Sequence, residues 1–480
     1  MKIRDLGLGI SRIAPMRSLH LSWLASAALV VSAAAQTAPR QVTTIVGGGT
    51  VVTVDGARHI YTPGAVAIDG TTIVAVGPAA DIAAKFKAAE QINTAGSVVI
   101  PGLINTHGHA PMVLYRGLAD DLRLQEWLEK YIFPAEAKTV SREMVRAGTR
   151  LAALEMIQSG TTTYADMYYF EEEIARVTKA AGMRGVLGQT IIQFPVADAK
   201  TPQEGLARNE AFIKEFAKDD LIVPAVAPHS PYTLDAKDLL ASRALATKHG
   251  VPVLIHVAET ETELGTSQKA HSGMSPVSYL QSIGFWGPRT VANHGVWVDA
   301  ADIKLLHSHQ VAVSHNPESN MKLASGIAPV PEYLAAGVTV GLGTDGAASN
   351  NDLDMFEAMR FAALLHKVKT GDPRVLPATT ALEMATISGA RALGLEKQIG
   401  SLEAGKRADL VVVSTASARL TPLYNPISHL VYAARGEDVR TVMVNGRVLM
   451  RDRRMLTLDE TAVLAEANKF AAAVRAAVGQ

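Results

Sequence analysis

The chain has 480 residues, of which 48% are hydrophobic and 19% are charged, and its 46 basic residues balance its 46 acidic residues. This composition is that of a globular protein long enough for one large domain and a smaller one, and the zero net charge gives no electrostatic reason to expect nucleic acid or an anionic membrane as a partner. The absence of cysteine excludes disulfides, iron–sulfur clusters, thiolate zinc sites and a lipid anchor through cysteine, and it leaves histidine, aspartate and glutamate as metal ligands.

The first 35 residues have the pattern of an export signal. The apolar stretch LSWLASAALVVSAAA ends in three alanines directly before Gln36, which match a small-residue cleavage site. The stretch is short for a membrane span and no second one follows, so no membrane span is expected after cleavage. The sequence therefore predicts a periplasmic or secreted protein, translated from Met1 or Met16, with an uncleaved anchor as the alternative. The basic residues that precede the apolar stretch are Lys2, Arg4, Arg12 and Arg17.

Residues 42–100 are predicted to form β-strands, because β-branched residues alternate with polar ones between Gly and Asp turns. The same pattern returns in residues 401–455, where ADLVVVS and VRTVMVNGRVLM are strand candidates and Asn445-Gly446 is typical of a tight hairpin turn. Two β segments that flank one middle region predict a small β-sandwich domain formed from both chain ends. Residues 456–480 are predicted to form an amphipathic helix that packs on its own chain.

Residues 101–400 alternate apolar strand candidates with segments of helical periodicity, such as SREMVRAGTRLAALEMIQS. Eight strand–helix units over about 300 residues predict an α/β fold, a (β/α)8 TIM-type barrel. A doubly wound open sheet is the alternative, but it would not explain why polar residues recur at so many strand ends. The strand candidates are VVIPGLINTHGH, TTTYADMYY, RGVLGQTII, LIVPAVAPHS, VPVLIHVAE, TVANHGVW, VAVSHNP and TVGLGTDG.

Side chains that bind metals recur at the ends of the predicted barrel strands, where catalytic groups of such barrels lie. His107 and His109, two residues apart in an extended segment, point to the same side and can bind one ion. His256 would add a third imidazole and Asp345 a carboxylate, and that set suits Zn²⁺, with Fe²⁺ as the alternative. In chain order the strand-end residues are His107, His109, His229, His256, His294, His315 and Asp345.

Each of these residues, taken alone, has an ordinary explanation: chance, a turn, a solvated carboxylate or a buried core histidine. Their joint occurrence at the ends of several strands favours a catalytic metal, which would lower the pKa of a bound water towards neutrality. Glu259, three residues after His256, is then placed to move protons, and His294 either to polarise the reacting group or to hold the hydroxide. For His315 the sequence leaves a ligand role and a loop-shaping role open.

At these residues the sequence resembles the amidohydrolase superfamily and, more narrowly, the 5-methylthioadenosine/S-adenosylhomocysteine deaminases and their chlorohydrolase relatives. The resemblance covers essentially the whole chain after the signal peptide, including the divided β domain. Its motifs are specific to the deaminase branch and much less so to one substrate. The matching segments are PGLINTHGHAPMVLYRGLADDLRLQEWL, HVAETETE, NHGVWVD, SHNPESNMKLASGIAPV and GLGTDGAASNNDLDMFEAM.

The resemblance implies a role for each candidate residue. In this family three histidines and an aspartate bind the metal, and the same aspartate accepts a proton from the attacking water. Many binuclear relatives carry a carboxylated lysine at the fourth strand, and the absence of lysine from LIVPAVAPHSP implies a single divalent ion. The matching positions are His107, His109, His256 and Asp345 for the metal, Glu259 and Asp345 for proton transfer, His294 for the attacking hydroxide, Glu126 for ribose hydroxyls and His229 for substrate contact.

Two features of the sequence bear on the substrate. The nucleoside deaminases place a substrate-binding arginine at the end of the third strand, where this chain has Gln189 and no arginine after Arg184. The loss of that cation weakens the case for one particular nucleoside. Trp127, next to Glu126, is interpreted either as a stacking platform for a heteroaromatic ring or as a helix core residue.

The sequence is therefore compatible with four functions. The first is a zinc-dependent hydrolytic deaminase of an aminated N-heteroaromatic ring, a purine or an adenine nucleoside such as 5′-methylthioadenosine or S-adenosylhomocysteine. The second keeps the chemistry but removes chloride or an alkylamine from a triazine, or acts on a pterin-type ring. The third is an exported hydrolase of cyclic or linear amides, and the fourth is a non-catalytic binding protein. The sequence is compatible with a homodimer and does not decide the oligomeric state.

Overall fold

The computed structural model of the protein describes residues 38–479. The predicted signal peptide, residues 1–35, therefore lies outside the described residues. Among the residues that are described, no helix combines the length and the apolar character needed to cross a membrane.

The described chain begins with strands that belong to two small sheets. One sheet has the order β5-β4-β1-β6, with β1 antiparallel to β4 and parallel to β6. Val42, Thr44 and Val46 alternate with more exposed residues along β1, as expected of a strand with one face on a core. The bounds are β1 (Arg40–Gly47), β2 (Thr50–Val52), β3 (Ile60–Tyr61), β4 (Gly64–Asp69), β5 (Thr72–Pro78), α1 (Ala79–Lys85), β6 (Phe86–Asn93) and β7 (Ser97–Pro101).

Eight parallel strands form a barrel in chain order, which confirms the predicted (β/α)8 fold. The barrel closes between its first and last strands, because the Thr106 amide donates to the Leu342 carbonyl oxygen at 2.8 Å and the Asp345 amide to the His107 carbonyl oxygen at 3.0 Å. Each strand lies within one of the predicted segments. The bounds are β8 (Leu103–Asn105), β9 (Thr161–Tyr168), β10 (Arg184–Ile191), β11 (Ile222–Pro228), β12 (Val253–Val257), β13 (Thr290–His294), β14 (Ala312–His315) and β15 (Val340–Leu342).

The first strand candidate, VVIPGLINTHGH, is divided in the structure. Its first half is β7, which pairs with a C-terminal strand of the small domain, and its second half is β8 of the barrel. Gly102 lies between them, and a Cβ atom there would come within 2.0 Å of the Thr162 hydroxyl oxygen. The close approach of the two chain segments thus requires glycine. The sequence did not reveal the break, because the apolar run continues on both sides of it.

Helices surround the barrel, and several begin at side-chain caps: the Ser141 hydroxyl accepts from the Met144 amide and the Thr260 hydroxyl from the Glu263 amide. One turn of π-helix, Leu128–Ile132, joins α2 to α3. The bounds are α2 (Leu124–Trp127), α3 (Phe133–Thr139), α4 (Arg142–Gln158), α5 (Glu171–Ala181), α6 (Pro202–Phe216), α7 (Ala236–His249), α8 (Glu261–Ala270), α9 (Pro276–Ser282), α10 (Ala300–Ser308), α11 (Pro317–Lys322), α12 (Val330–Ala335), α13 (Ala347–Asn350), α14 (Met355–Thr370), α15 (Ala378–Met384) and α16 (Ile387–Ala392).

The C-terminal strands return to the small domain. They complete a seven-stranded sheet in the order β19-β18-β17-β16-β7-β2-β3. Val66 and Ile68 of the first sheet share a buried core with Leu410 and Val412 of the second, which confirms a small β-sandwich formed from both chain ends. The bounds are β16 (Leu410–Ser414), α17 (Pro426–Tyr432), β17 (Val439–Val444), β18 (Arg447–Arg451), β19 (Arg454–Met455) and α18 (Glu460–Ala477).

The last helix and the last hairpin agree with the sequence pattern. Asn445 and Gly446 have φ values of 50° and 76°, the left-handed pair that a tight two-residue hairpin between β17 and β18 needs. Helix α18 packs on its own chain, where the Arg150 guanidinium donates to the Glu466 carboxylate at 2.7 Å.

Candidate active site

A cavity opens at the carboxyl ends of the barrel strands, the end at which barrels of this type carry their catalytic groups. Imidazoles and carboxylates line one part of it, and apolar and aromatic side chains line the rest. No lysine or arginine of residues 38–479 is among the lining residues. The polar group comprises His109, His229, His256, Glu259, His294 and Asp345, and the apolar group includes Trp127, Leu128, Ile132, Phe133, Tyr169 and Leu323.

Four side chains converge on one point beside this cavity. The Nε2 atoms of His107 and His109 lie 3.4 and 3.3 Å from Asp345 Oδ1. The Nε2 atoms of His109 and His256 are 3.3 Å apart. Ligands of a tetrahedral zinc ion, each about 2.0–2.2 Å from the metal, lie roughly 3.3–3.6 Å from one another. The four side chains are therefore spaced as the ligands of a single ion of this kind would be.

Main-chain carbonyl groups orient two of the imidazoles. His109 Nδ1 donates to the Met167 carbonyl oxygen at 2.7 Å, and His256 Nδ1 to the His229 carbonyl oxygen at 2.8 Å. With the proton on Nδ1, each ring turns the lone pair of Nε2 towards the shared point, the arrangement typical of metal-binding histidines. His107 Nε2 is buried and has no hydrogen-bond partner among the described residues. A buried nitrogen of this kind is otherwise rare, so the donor set fits a divalent metal.

Asp345 is held by its neighbours at the end of β15. Its backbone has φ 64°, a left-handed conformation that aspartate tolerates better than most residues. Its carboxylate accepts from the Ser319 hydroxyl at 2.7 Å and from the Gly346 amide at 2.7 Å. Burial opposes its ionised form, but contacts with His107 and His109 outweigh burial and hold the pKa of this carboxyl well below its usual range. Asp345 therefore presents an ionised carboxylate to the cavity.

Glu259 and His294 face each other across the cavity floor, with 3.8 Å between Glu259 Oε2 and His294 Nε2. The Asn320 side chain contacts His294 Nδ1 at 2.9 Å and holds that ring. Burial raises the pKa of the Glu259 carboxyl. A carboxyl that takes up a proton more readily than usual suits general acid–base work.

Glu263 is a positioning residue that the sequence analysis did not single out. Its carboxylate accepts from the Ala258 amide at 2.9 Å and from the Glu259 amide at 2.7 Å. These bonds hold the backbone where Ala258 has φ 54° and the chain turns out of β12. The spacing from Thr260 to Glu263 is that of a helix-capping pair, so the sequence signalled a helix start but not this contact.

The structure brings His229 and Trp127 into the cavity wall, whereas Glu126 and Gln189 are not among the lining residues. The Glu126 side chain is 43% exposed and pairs with Lys130 at 2.9 Å. Adjacent residues of a helix point about 100° apart, so turning Trp127 inward turns Glu126 outward. The Gln189 amide is buried and donates to Asp198 at 2.8 Å.

His315 also lies outside the cavity lining. It is fully buried, and its Nε2 lies 3.2 Å from His366 Nε2. This contact favours the structural interpretation of His315, in which it shapes the segment after β14.

Glu136 of α3 lines the cavity and was missed by the sequence analysis. The Tyr168 hydroxyl donates to its carboxylate at 2.6 Å. Burial raises the pKa of Glu136 to about 7. The segment from 124 to 139 contains several acidic residues, and nothing in its pattern indicates which of them faces inward.

The sequence profile described as "Amidohydrolase family" matches residues 98–449, and a shorter one, described as "Imidazolonepropionase-like composite domain, bacteria", matches residues 64–86. A 5-methylthioadenosine/S-adenosylhomocysteine deaminase of Syntrophobacter fumaroxidans is 49% identical over 89% of this chain and 97% of its own length. A 5′-deoxyadenosine deaminase of Methanosarcina acetivorans is 47% identical over 84% of this chain and 93% of its own.

A solved structure extends the likeness to the fold. The crystal structure of an adenosine deaminase from Xanthomonas campestris with bound zinc superposes with a TM-score of 0.90 at 38% sequence identity. The match covers 92% of this chain and 100% of that one.

Proposed function

This chain belongs to the amidohydrolase family, and we propose that it removes the 6-amino group from the adenine ring of a nucleoside with an uncharged 5′ substituent, such as 5′-methylthioadenosine or 5′-deoxyadenosine. It is a metal-dependent hydrolytic deaminase that acts on carbon–nitrogen bonds other than peptide bonds. The observation that carries the proposal is the convergence of three imidazoles and Asp345 beside Glu259 on one cavity wall.

We assign one Zn²⁺ to His107, His109, His256 and Asp345. The spacing of their ligand atoms and the unpartnered Nε2 of His107 support the assignment. When bound, the ion would supply hydroxide at neutral pH by lowering the pKa of water.

The chain's own residues move the protons in the proposed reaction. Asp345 accepts a proton from the attacking water, and Glu259 delivers a proton to the ring nitrogen next to the amine-bearing carbon. The oxygen adds to that carbon, Asp345 passes the proton it accepted to the amine, and ammonia leaves as the carbon–nitrogen bond breaks. The remaining hydroxyl proton returns to Glu259. His294 Nε2, 3.8 Å from Glu259, contacts the attacking oxygen and keeps it in line. Each proton transfer is thus assigned to a buried group whose environment favours the required form.

Glu136 replaces Glu126 as the proposed partner of the ribose hydroxyls. It is a buried carboxylate in the cavity wall, and carboxylates accept strong hydrogen bonds from hydroxyls. Trp127 and His229 are proposed to contact the base. Because Gln189 is engaged with Asp198, it has no part in the proposed substrate contacts.

The cavity wall supports the choice of an uncharged 5′ substituent. Among the described residues, those that line it and are ionisable, other than histidine and tyrosine, are Glu136, Glu259 and Asp345, and none is a lysine or arginine. A phosphate or carboxylate placed there would lose its hydration without gaining a counter-charge, which costs several kcal/mol for a buried ion. Apolar side chains such as Leu128 and Ile132 suit a methyl or methylthio group instead.

Ammonia release by the zinc-loaded protein tests the proposal. We expect turnover of 5′-methylthioadenosine, 5′-deoxyadenosine and adenosine, weaker turnover of S-adenosylhomocysteine and none of adenosine monophosphate. A chelator should abolish every activity. Failure of all adenine nucleosides, together with release of chloride or alkylamine from a triazine, would overturn the proposal. Preferred use of adenosine monophosphate would overturn only the part that concerns the 5′ substituent.

A further inference from the structure

We propose a second cation site, for a hard divalent ion of the Ca²⁺ type, formed by Glu318, Asp352 and Glu357. One carboxylate oxygen of each lies within 4.8 Å of those of the other two. Ca²⁺ binds oxygen at about 2.3–2.6 Å, so two oxygens on the same ion lie at most roughly 5 Å apart. None of the three residues lines the catalytic cavity. The site is therefore separate from the histidine cluster, and it does not depend on the proposed reaction.

The surroundings of the Glu318 carboxylate suit a bound cation. Its side chain belongs to α11 and only 6% of the residue is exposed. Both of its carboxylate oxygens are buried, and neither has a hydrogen-bond partner among the described residues. Buried carboxylates in folded proteins have a donor, a counter-charge or a metal beside them. Here the nearby groups with which it shares the cluster are other carboxylates.

The cluster also lacks a counter-charge. No described lysine or arginine forms an ion pair with Glu318, Asp352 or Glu357, and the basic residue of the same helix, Lys322, is engaged by Asp120 at 2.6 Å. Asp354 adds a fourth carboxylate close by, and backbone amides rather than cations are its partners. Two positive charges on one ion would offset two of the three carboxylate charges of Glu318, Asp352 and Glu357, whereas Zn²⁺ would prefer the imidazoles elsewhere.

A cluster of carboxylates can also be relieved by binding protons. Burial, followed by the charges of Asp352, Glu357 and Asp354, raises the pKa of Glu318 well above its ordinary value. Burial raises the pKa of Asp352 to about 7. Without a cation the cluster would thus stay partly protonated near neutral pH.

Because of where the cluster lies, a bound cation would connect two segments of the chain. Glu318 precedes Ser319 and Asn320 in α11, and these two side chains contact Asp345 at 2.7 Å and His294 at 2.9 Å. Asp352 and Glu357 belong to the segment that leads from α13 into α14. A cation held by all three would tie α11, which positions catalytic groups, to the chain that follows β15. We therefore expect it to stabilise both segments.

Calcium titration of the zinc-loaded protein tests the site, since zinc loading keeps the histidine cluster filled. We expect saturable binding of one Ca²⁺ with a Kd of about 10⁻³ M or tighter, and a melting temperature that rises with calcium concentration. Glu357→Gln should weaken binding about tenfold or more, because the site loses one of its charged ligands. Glu357 is exposed, so this variant should fold even where a change at buried Glu318 does not.

Asp220→Asn is the matched control, since it also removes one carboxylate and its side chain is 77% exposed near the start of β11. Its calcium affinity should equal that of the unaltered protein. The proposal is overturned if calcium up to about 10 mM produces neither saturable heat nor a change in melting temperature, which would mean that protons relieve the cluster. It is equally overturned if Glu357→Gln binds calcium as the control does.

Discussion

His109 Nε2 and His256 Nε2 lie 3.3 Å apart, while the Nδ1 atom of each ring is hydrogen-bonded to a main-chain carbonyl oxygen. Because each Nδ1 carries the proton, two lone pairs face one another across this distance. Such an arrangement is unfavourable unless a cation or a shared proton lies between them. The backbone of Met167 in β9 and that of His229, directly after β11, thus hold the two imidazoles ready for a metal.

Replacing His256 by alanine should remove one ligand and the metal with it. We expect zinc affinity to fall by more than the roughly 10–100-fold that the loss of an outer-shell partner costs. Metal content after dialysis against a weak chelator measures this. His307→Gln, a change at an exposed histidine, is the control and should retain one zinc per chain. Full retention of zinc by the His256 variant would contradict the ligand assignment.

Replacing Glu259 by glutamine should slow catalysis without removing the metal, since the amide cannot shuttle a proton. We expect kcat to fall by roughly 10²–10⁴ with little change in KM, measured by ammonia release. The same change at exposed Glu261, two residues further along, should leave kcat unaltered. If the Glu259 variant kept its full kcat, another group would have to move the proton.

Glu136→Gln should raise KM for nucleosides that carry ribose hydroxyls, because a carboxylate accepts stronger hydrogen bonds than an amide. We expect KM to rise about tenfold, and to rise much less for a 2′,3′-dideoxy substrate, which lacks the 2′ and 3′ hydroxyls. In parallel, Glu126→Gln should leave KM unchanged, because the Glu126 carboxylate is engaged by Lys130 on the outer side of α2. A larger effect at Glu126 than at Glu136 would reverse the assignment.

Glu136 should also make stability depend on pH. Burial raises the pKa of its carboxyl to about 7 from an ordinary value of 4.5. Between these values the folded protein binds more protons than the unfolded chain, so the free energy of unfolding falls as pH rises through this window. The contribution is at most about 3 kcal/mol.

Denaturant unfolding at pH 5 and pH 8 measures this dependence. In the Glu136→Gln variant the free energy of unfolding should fall less between pH 5 and pH 8, because the amide does not titrate. Equal slopes of stability against pH in the two proteins would show that Glu136 titrates normally in the folded state.

Much of this architecture is readable from the chain alone. Each barrel strand lies where an apolar, β-branched run was followed by a polar residue, because parallel strands covered on both faces need continuous apolar sequence. The strand assignment also predicted where the metal-binding histidines and Asp345 meet, since the carboxyl ends of all eight strands lie at one end of the barrel. His107, His109, His256 and Asp345 come together for that reason. The positions of the strands and of the residues at their ends follow from strand-pairing rules and hydrophobic periodicity, and both can be recognised in the sequence.

Only the tertiary structure decided which side chains complete the cavity. Glu126 and Glu136 occur in one helical segment, and the docking of that segment turned the second inward and the first towards Lys130. Gln189 is at a strand end but is engaged by Asp198, and Glu263 reaches back to the amides of Ala258 and Glu259. These outcomes depend on contacts between segments distant in the chain or on the path of a turn. Sequence periodicity predicts neither these contacts nor the path of a turn, because the orientation of a helix is determined by how it packs against the neighbouring elements.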